Sequence, residues 1–322
     1  MLDVMEAKDI YRAQFARFEK ELASNGQVWT RGIREAAISR FAELGFPTTR
    51  EEEWKYTNVA PIAKIPFKPA GYALDGLTAE TRARAAFEGL ASNQLAFVNG
   101  HYSRELSSLR PLPQGVRVES LAAALNVDPG WAEPHLARYA SYQDHAFVAL
   151  NTAFMEDGAF VYIPKGKVVE DPIHLLFVST ARGEATVSYP RNLIVVGDGS
   201  QVVIVESYLG LANDVYLTNA VTEIVAGENA VIDHYKLQQE SKEAFHIAIL
   251  QVHQDRSSNF VSHSIALGGA LVRNDINAVL HGDGGECTLN GLYMATGQQH
   301  VDNHTLIDHV KPHCTSRELY KG

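Results

Sequence analysis

The chain has 322 residues, enough for one large domain or two ordinary ones. Its 28 basic and 38 acidic residues leave a net charge of −10, and no Lys/Arg run segregates positive charge, which excludes a nucleic-acid partner. A hydrophobic content of 46% excludes global disorder, and the longest apolar runs, such as Leu193–Val196 and Val202–Val205, are too short to span a bilayer. Met1–Lys20 lacks the apolar stretch of a signal peptide, and two cysteines cannot make a disulfide framework, so a cytoplasmic protein with no membrane partner is expected.

The first 45 or so residues read as two helices. Tyr11, Phe15, Phe18 and Leu22 recur at helical spacing, as do Ile33, Ala37, Phe41 and Leu44. Asn25-Gly26 separates the runs, and Gly45-Phe46-Pro47 stops the second. The charged and aromatic segment Arg50–Tyr56 is either a docking surface or, more simply, salt-bridged packing of Trp54 against the helices. Pro61, Pro66 and Pro69 predict a loop without regular structure. Thr78–Ala91 reads as another helix. Leu95–Val98 with the turn signal Asn99-Gly100 predicts a strand entering a hairpin or corner, and Glu119–Asn126 and Trp131–Phe154 predict helical or irregular structure.

From Gly158 onward the sequence is almost all short strands, with no convincing helical pattern between them. Eleven are predicted, from Phe160–Ile163 to Leu271–Leu280, Cys287–Met294 and His300–Val310, the last followed by a short tail. Two series of turn signals interleave with them. One is Gly197-Asp198-Gly199, Gly227-Glu228-Asn229, Asp255–Ser258 and Gly282–Gly285; the other is Leu209-Gly210, Glu240–Glu243, Gly268-Gly269 and Gly297-Gln298. Each repeats at roughly 28–30 residues, the mark of stacked repeats. Two strands per repeat suit a parallel β-helix; an antiparallel sandwich is the rival arrangement.

No phosphate loop, nucleophile elbow or H-E-x-x-H motif occurs, so ATPase activity within this chain is not expected. The G-x-G triplets at Gly197 and Gly282 lack a third Gly and read as turns needing positive φ. Nine of the 13 histidines lie from His234 onward, among them His253 and His281. His300, Asp302 and His304 alternate in a predicted strand and share a face; they could hold zinc or iron, or form the polar outer face of a coil with Val301 and Ile307 pointing inward. Cys287 reads as a small buried hydrophobe. Cys314, beside His313, is a plausible exposed thiol that could take iron or persulfide sulfur. Two cysteines so far apart cannot make a four-thiolate cluster site, so no stable cofactor is expected on this chain alone.

Several ordered segments resemble the SufB/SufD family of Suf iron–sulfur cluster assembly subunits. At the front are Gly45-Phe46-Pro47 and Glu52-Glu53-Trp54-Lys55-Tyr56-Thr57, then Asp157-Gly158 and Ile163-Pro164-Lys165-Gly166. Further on come Arg191–Val195, Tyr235–Gln238, Gly268–Asp275, Gly291-Leu292-Tyr293, His300-Val301-Asp302 and His313–Gly322. The front end is similar to SufD members more than to SufB. The resemblance implies a mainly β protein: a right-handed parallel β-helix spanning 93–322, with a helical stretch near 119–156, preceded by an α-helical region over 1–92. It also implies a non-catalytic scaffold that pairs with SufB through the β-helix and works with the SufC ATPase, an iron–sulfur cluster being present only transiently in the complex. The family's later Cys-Ser-His-Gly motif and SufC-docking helices have no counterpart here, so the chain reads as truncated at its C-terminal end. A carbohydrate-active β-helix enzyme and a small metal-binding protein using His300, Asp302 and His304 are the alternatives.

Overall fold

The structure is a computed structural model that describes residues 4–23, 30–74, 77, 92–180 and 183–322. The two amphipathic runs at the front form α1 (Val4–Ala23) and α2 (Arg31–Leu44). The second ends where Gly45 takes φ 68° and donates its N–H back to the Phe41 carbonyl. Two short helices follow, α3 (Ala60–Ala63) and α4 (Leu121–Val127), the latter capped where Ser120 accepts the Ala123 N–H. The front helices pack with α5 (Ala146–Phe154) into one aromatic cluster holding Tyr11, Phe41, Phe46, Trp54, Phe147 and Phe154. The Asn25-Gly26 break and the Thr78–Ala91 helix lie outside the described residues.

From β5 (Ala159–Ile163) to β17 (Thr315–Lys321) the chain alternates between two sheets and builds about six coils of a parallel β-helix. One sheet stacks β5, β8 (Arg191–Val196), β10 (Tyr216–Ala226), β12 (Phe245–Gln254), β14 (Leu271–Leu280) and β16 (His300–His309). The other stacks β6 (Ile173–Ser179), β9 (Gln201–Gly210), β11 (Val231–Gln239), β13 (Asn259–Ala266), β15 (Glu286–Tyr293) and β17. All these ladders are parallel, which rules out the sandwich. Val231 pairs with Asn259 and Leu271 with His300, so one period of the turn signals is one coil. The N-terminal end of the solenoid carries two antiparallel additions, β3 (His101–Ser108) on β2 (Asn93–Val98) and β4 (Arg117–Ser120) on β5. Asn99-Gly100 makes the β2–β3 hairpin with both residues at positive φ.

The two sheets bury different fractions of their residues for one reason. Along β13 buried and half-buried residues alternate, because only its inner face is covered. In the first sheet β8 and β10 are covered on both faces, by the interior and by the helices, and are buried at every position. Such a strand reads as a near-continuous run.

The turns stack as regularly as the strands. Gly199, Asn229, Ser257, Gly284 and His313 occupy one column at φ 62°, 57°, 55°, 72° and 60°. Each of the first four donates its N–H to the next coil, from Gly199 to Glu228 through to Gly284 to Pro312. Gly166, at φ 70° and donating to Asp198, begins the same column, so His313 is its sixth left-handed corner, a position that Asn and His tolerate better than most residues.

Three expectations need correction. Pro61 sits in the first turn of α3, where a missing N–H costs nothing. Pro69 belongs to β1 (Lys68–Pro69), which pairs with β7 (Thr186–Ser188); the donors are its neighbours Lys68 and Ala70, so the ladder needs no N–H from the proline. The chain also does not end its strands at Val310. Thr315–Lys321 adds β17 along β15, a strand whose polar sequence hides it because most of its side chains are exposed.

Candidate functional site

The segment 52–57 lies on the outer face of β14 and β16. Register places Asp302 beside Arg273 and His304 beside Asp275, so the alternation of β16 aims His300, Asp302 and His304 at the covering segment. Thr57 Oγ1 donates to Asp302 and lies 3.0 Å from His300 Nε2. His304 Nδ1 is 3.3 Å from Glu53 Oε2. Arg273 is buried at the centre. Its Nη1 donates to the Glu53 carbonyl at 2.7 Å and to Asp302 at 2.8 Å, its Nε to Asp275 at 2.9 Å, and its guanidinium covers the Trp54 ring. Burial raises the Asp275 carboxyl, but the His145 hydrogen bond and the charges of His145, Arg273 and His304 outweigh it and hold it below the ordinary range. Thus Trp54 packs against Phe147 of α5, as expected, and also against the solenoid itself.

His313 and Cys314 lie past the other end of β16, about 30 Å along a ten-residue strand. The five residues predicted as metal candidates therefore do not converge. Cys314 follows the left-handed corner, in the column of Ser200, Ala230 and Ser258, and its thiol approaches the Gly282 carbonyl at 3.3 Å. Cys287 is buried in the solenoid interior, and burial pushes its thiol up to about 12. It is not a thiolate at neutral pH.

A polar column inside the solenoid escaped the sequence reading. Reading the alternation of β11 from the inward Ile232 puts His234, Lys236 and Gln238 inside. His234 Nε2 lies 3.2 Å from Glu206 Oε1, Tyr208 donates to Glu206 at 2.8 Å, and Lys236 donates to Asn274 at 2.6 Å from a position 5.3 Å above the Tyr208 ring. Glu240 accepts from Thr218 at 2.6 Å and Gln238 at 3.1 Å. Burial pushes the Lys236 ammonium down to about 8, against the pull of Glu206 and Glu240. Burial raises Glu206, but His234, Lys236 and Tyr208 outweigh it and keep the carboxylate ionised. In a sequence these inward polar residues are indistinguishable from a solvent face unless the phase of the strand is known.

One further cluster lies on the outer face of the first sheet, at the end away from His300. His253 and Asp255 stand two residues apart, and His281 sits beside them on the next coil, with ligand atoms no more than 4.8 Å apart. Among the described residues this is the one place where three such donors converge.

Comparison with known proteins agrees with the fold. The SufBD protein N-terminal region matches residues 5–175, and the SUF system FeS cluster assembly, SufBD core domain matches residues 177–322. An iron–sulfur cluster assembly SufBD family protein of Synechocystis is 31% identical over 89% of this chain and 65% of its own length. The iron–sulfur cluster assembly protein SufD of Escherichia coli is 24% identical over 88% of this chain and 64% of its own length. The chloroplastic protein ABCI7 of Arabidopsis thaliana is 25% identical over 90% of this chain and 61% of its own length. The chain thus spans somewhat under two thirds of these relatives. No described helix is long and apolar enough to cross a membrane. With both regions matched in order, one over the helical front region and the start of the β-helix and the other over the rest of it, the chain belongs to the SufBD family of Suf iron–sulfur cluster assembly proteins.

Proposed function

We propose that this chain is a non-catalytic, cytoplasmic scaffold subunit of Suf iron–sulfur cluster assembly, pairing with a SufB-like subunit through its β-helix and supporting assembly with a SufC-like ATPase. The observation that carries the reading is that the two SufBD regions account for residues 5–175 and 177–322, the helical front region and the solenoid that it packs on. This favours the scaffold over a carbohydrate-active β-helix enzyme. The engagement of His300, Asp302 and His304 with the segment 52–57 supports it further, since those side chains work as structural fastenings. The cluster is cargo here, assembled in the complex and passed on, with none held by this chain alone.

Co-expression with SufB-like and SufC-like subunits tests the reading. The SufB-like subunit is expected to co-purify with this chain, and cluster assembly on the complex is expected to fall when the chain is left out. No capture of the SufB-like subunit, with assembly unaffected by omission, would overturn it.

A further inference from the structure

We propose that His253, Asp255 and His281 form a solvent-facing binding site for a divalent first-row transition metal ion. Coil stacking creates the site. The ladder runs one residue beyond the strands on this edge: Asp255 donates its N–H to Ala226, and His281 donates to Gln254 on the coil before it. His281 is thereby set beside Asp255 at the spacing of neighbouring strands, about 4.8 Å. His253 lies two residues before Asp255, on the same face.

The donor atoms lie within 4.8 Å of one another. Metal–nitrogen and metal–oxygen bonds of about 2.0–2.2 Å need donor separations of about 3 to 3.5 Å. Turning the imidazoles about their broad terminal torsions closes that gap. The two rings already lie close, 4.8 Å between centroids at 35°, and Tyr139 walls the far side of His253 at 5.1 Å. Among the described residues none of the three side chains spends its donor atoms on a hydrogen bond. His253 and Asp255 are half-buried and His281 is exposed, which leaves an entry path. Two imidazoles with one carboxylate exclude calcium and magnesium, which require oxygen shells, and offer no thiolate for copper(I). The set suits zinc, cobalt, nickel or iron(II), with further positions open to water. The site is remote from the His300–Asp302–His304 cluster and does not depend on Suf partners.

Cobalt(II) and zinc(II) titrations of the whole chain, with iron(II) under anaerobic conditions, test the proposal. One equivalent of cobalt is expected to bind with visible d–d absorption, and zinc is expected to displace it. His281→Ala and His253→Ala are each expected to weaken binding at least about tenfold, as loss of a ligand does at least as much as loss of its outer-shell partner. His300→Ala/His304→Ala is expected to leave it unchanged. His281 is exposed, so its variant keeps the parent fold and thermal midpoint. Absence of a stoichiometric cobalt spectrum, or a spectrum that survives both His253→Ala and His281→Ala, would overturn the site. Capture of a SufB-like subunit reads the scaffold function separately, so either conclusion can fail without the other.

Discussion

The guanidinium carbon of Arg273 lies over the indole of Trp54, 3.9 Å from its centroid, and so joins the fourth-last strand of the solenoid to a segment near the front of the chain. The same side chain reaches the Glu53 carbonyl, Asp275 and Asp302. A planar fork over an aromatic face can make all these contacts at once, whereas an ammonium group cannot. The family-like segment around Trp54 is therefore a clasp, holding the helical region onto β14 and β16.

Arg273→Ala removes the guanidinium that Asp275 and part-buried Asp302 share, leaving His145 as the remaining partner of Asp275, and is expected to cost about 3–5 kcal/mol. Arg273→Lys is expected to recover only part of that loss. Thermal unfolding gives the cost, and limited proteolysis around residues 50–57 shows whether the clasp opens. An unchanged midpoint and cleavage pattern in both variants would mean that the clasp is held by Trp54 packing alone.

Asp157 accepts N–H groups from Tyr102, Ala122 and Gly158, yet burial pushes its carboxyl up to about 6 against those bonds. A carboxyl raised above its unfolded value of 3.8 binds its proton more tightly in the folded state. Its contribution is full below that value and is lost as pH rises through about 6. Relative to the parent, Asp157→Asn is expected to gain stability as pH rises from about 4 to 6. A constant difference in midpoint across that range would refute the assignment.

For Lys236 the sign runs the other way along the pH axis. The folded value near 8 lies below the ordinary 10.5, so between them the unfolded chain holds more protons and stability rises with pH. Lys236→Met is expected to flatten that rise between about pH 8 and 10. Chemical denaturation at several pH values would detect it, and a slope equal to that of the parent would place the titration elsewhere.

Cys314 occupies a column where other coils carry Ser200 and Ser258, whose hydroxyls donate to the carbonyls of Pro164 and Asp255 at 2.8 and 2.7 Å. Cys314→Ser is accordingly expected to shift stability by less than about 0.5 kcal/mol. Cluster assembly in the complex is expected to be unaffected. Lost assembly at a normal midpoint would instead make the thiol a chemical group.

Ile224, Leu250 and Phe260 mark strands by alternation, and Gly199 and Gly284 mark corners by the backbone they require. Those signals are local, so strand order, coil period and the helices carrying Tyr11 and Phe41 were legible in the sequence. β17 was not, because side chains facing solvent leave no apolar period to read. The metal candidates drawn from one strand, His300, Asp302 and His304, share a face as expected, but a face says nothing of what covers it; Thr57 and Glu53 do.

What the sequence determined by itself was the period of two strands per repeat, because apolar alternation and corner residues are local signals; that these strands pair in parallel from coil to coil, and not as a sandwich, was decided by the ladders. What the tertiary structure decided was contact between coils and across the chain. Lys236 beside Tyr208, His253 beside His281 and Arg273 on Trp54 each join residues from different coils or domains. Alternation assigns a residue to a face, but the register between neighbouring coils selects its partner, and that register is fixed by hydrogen bonds between strands a full coil apart in the chain.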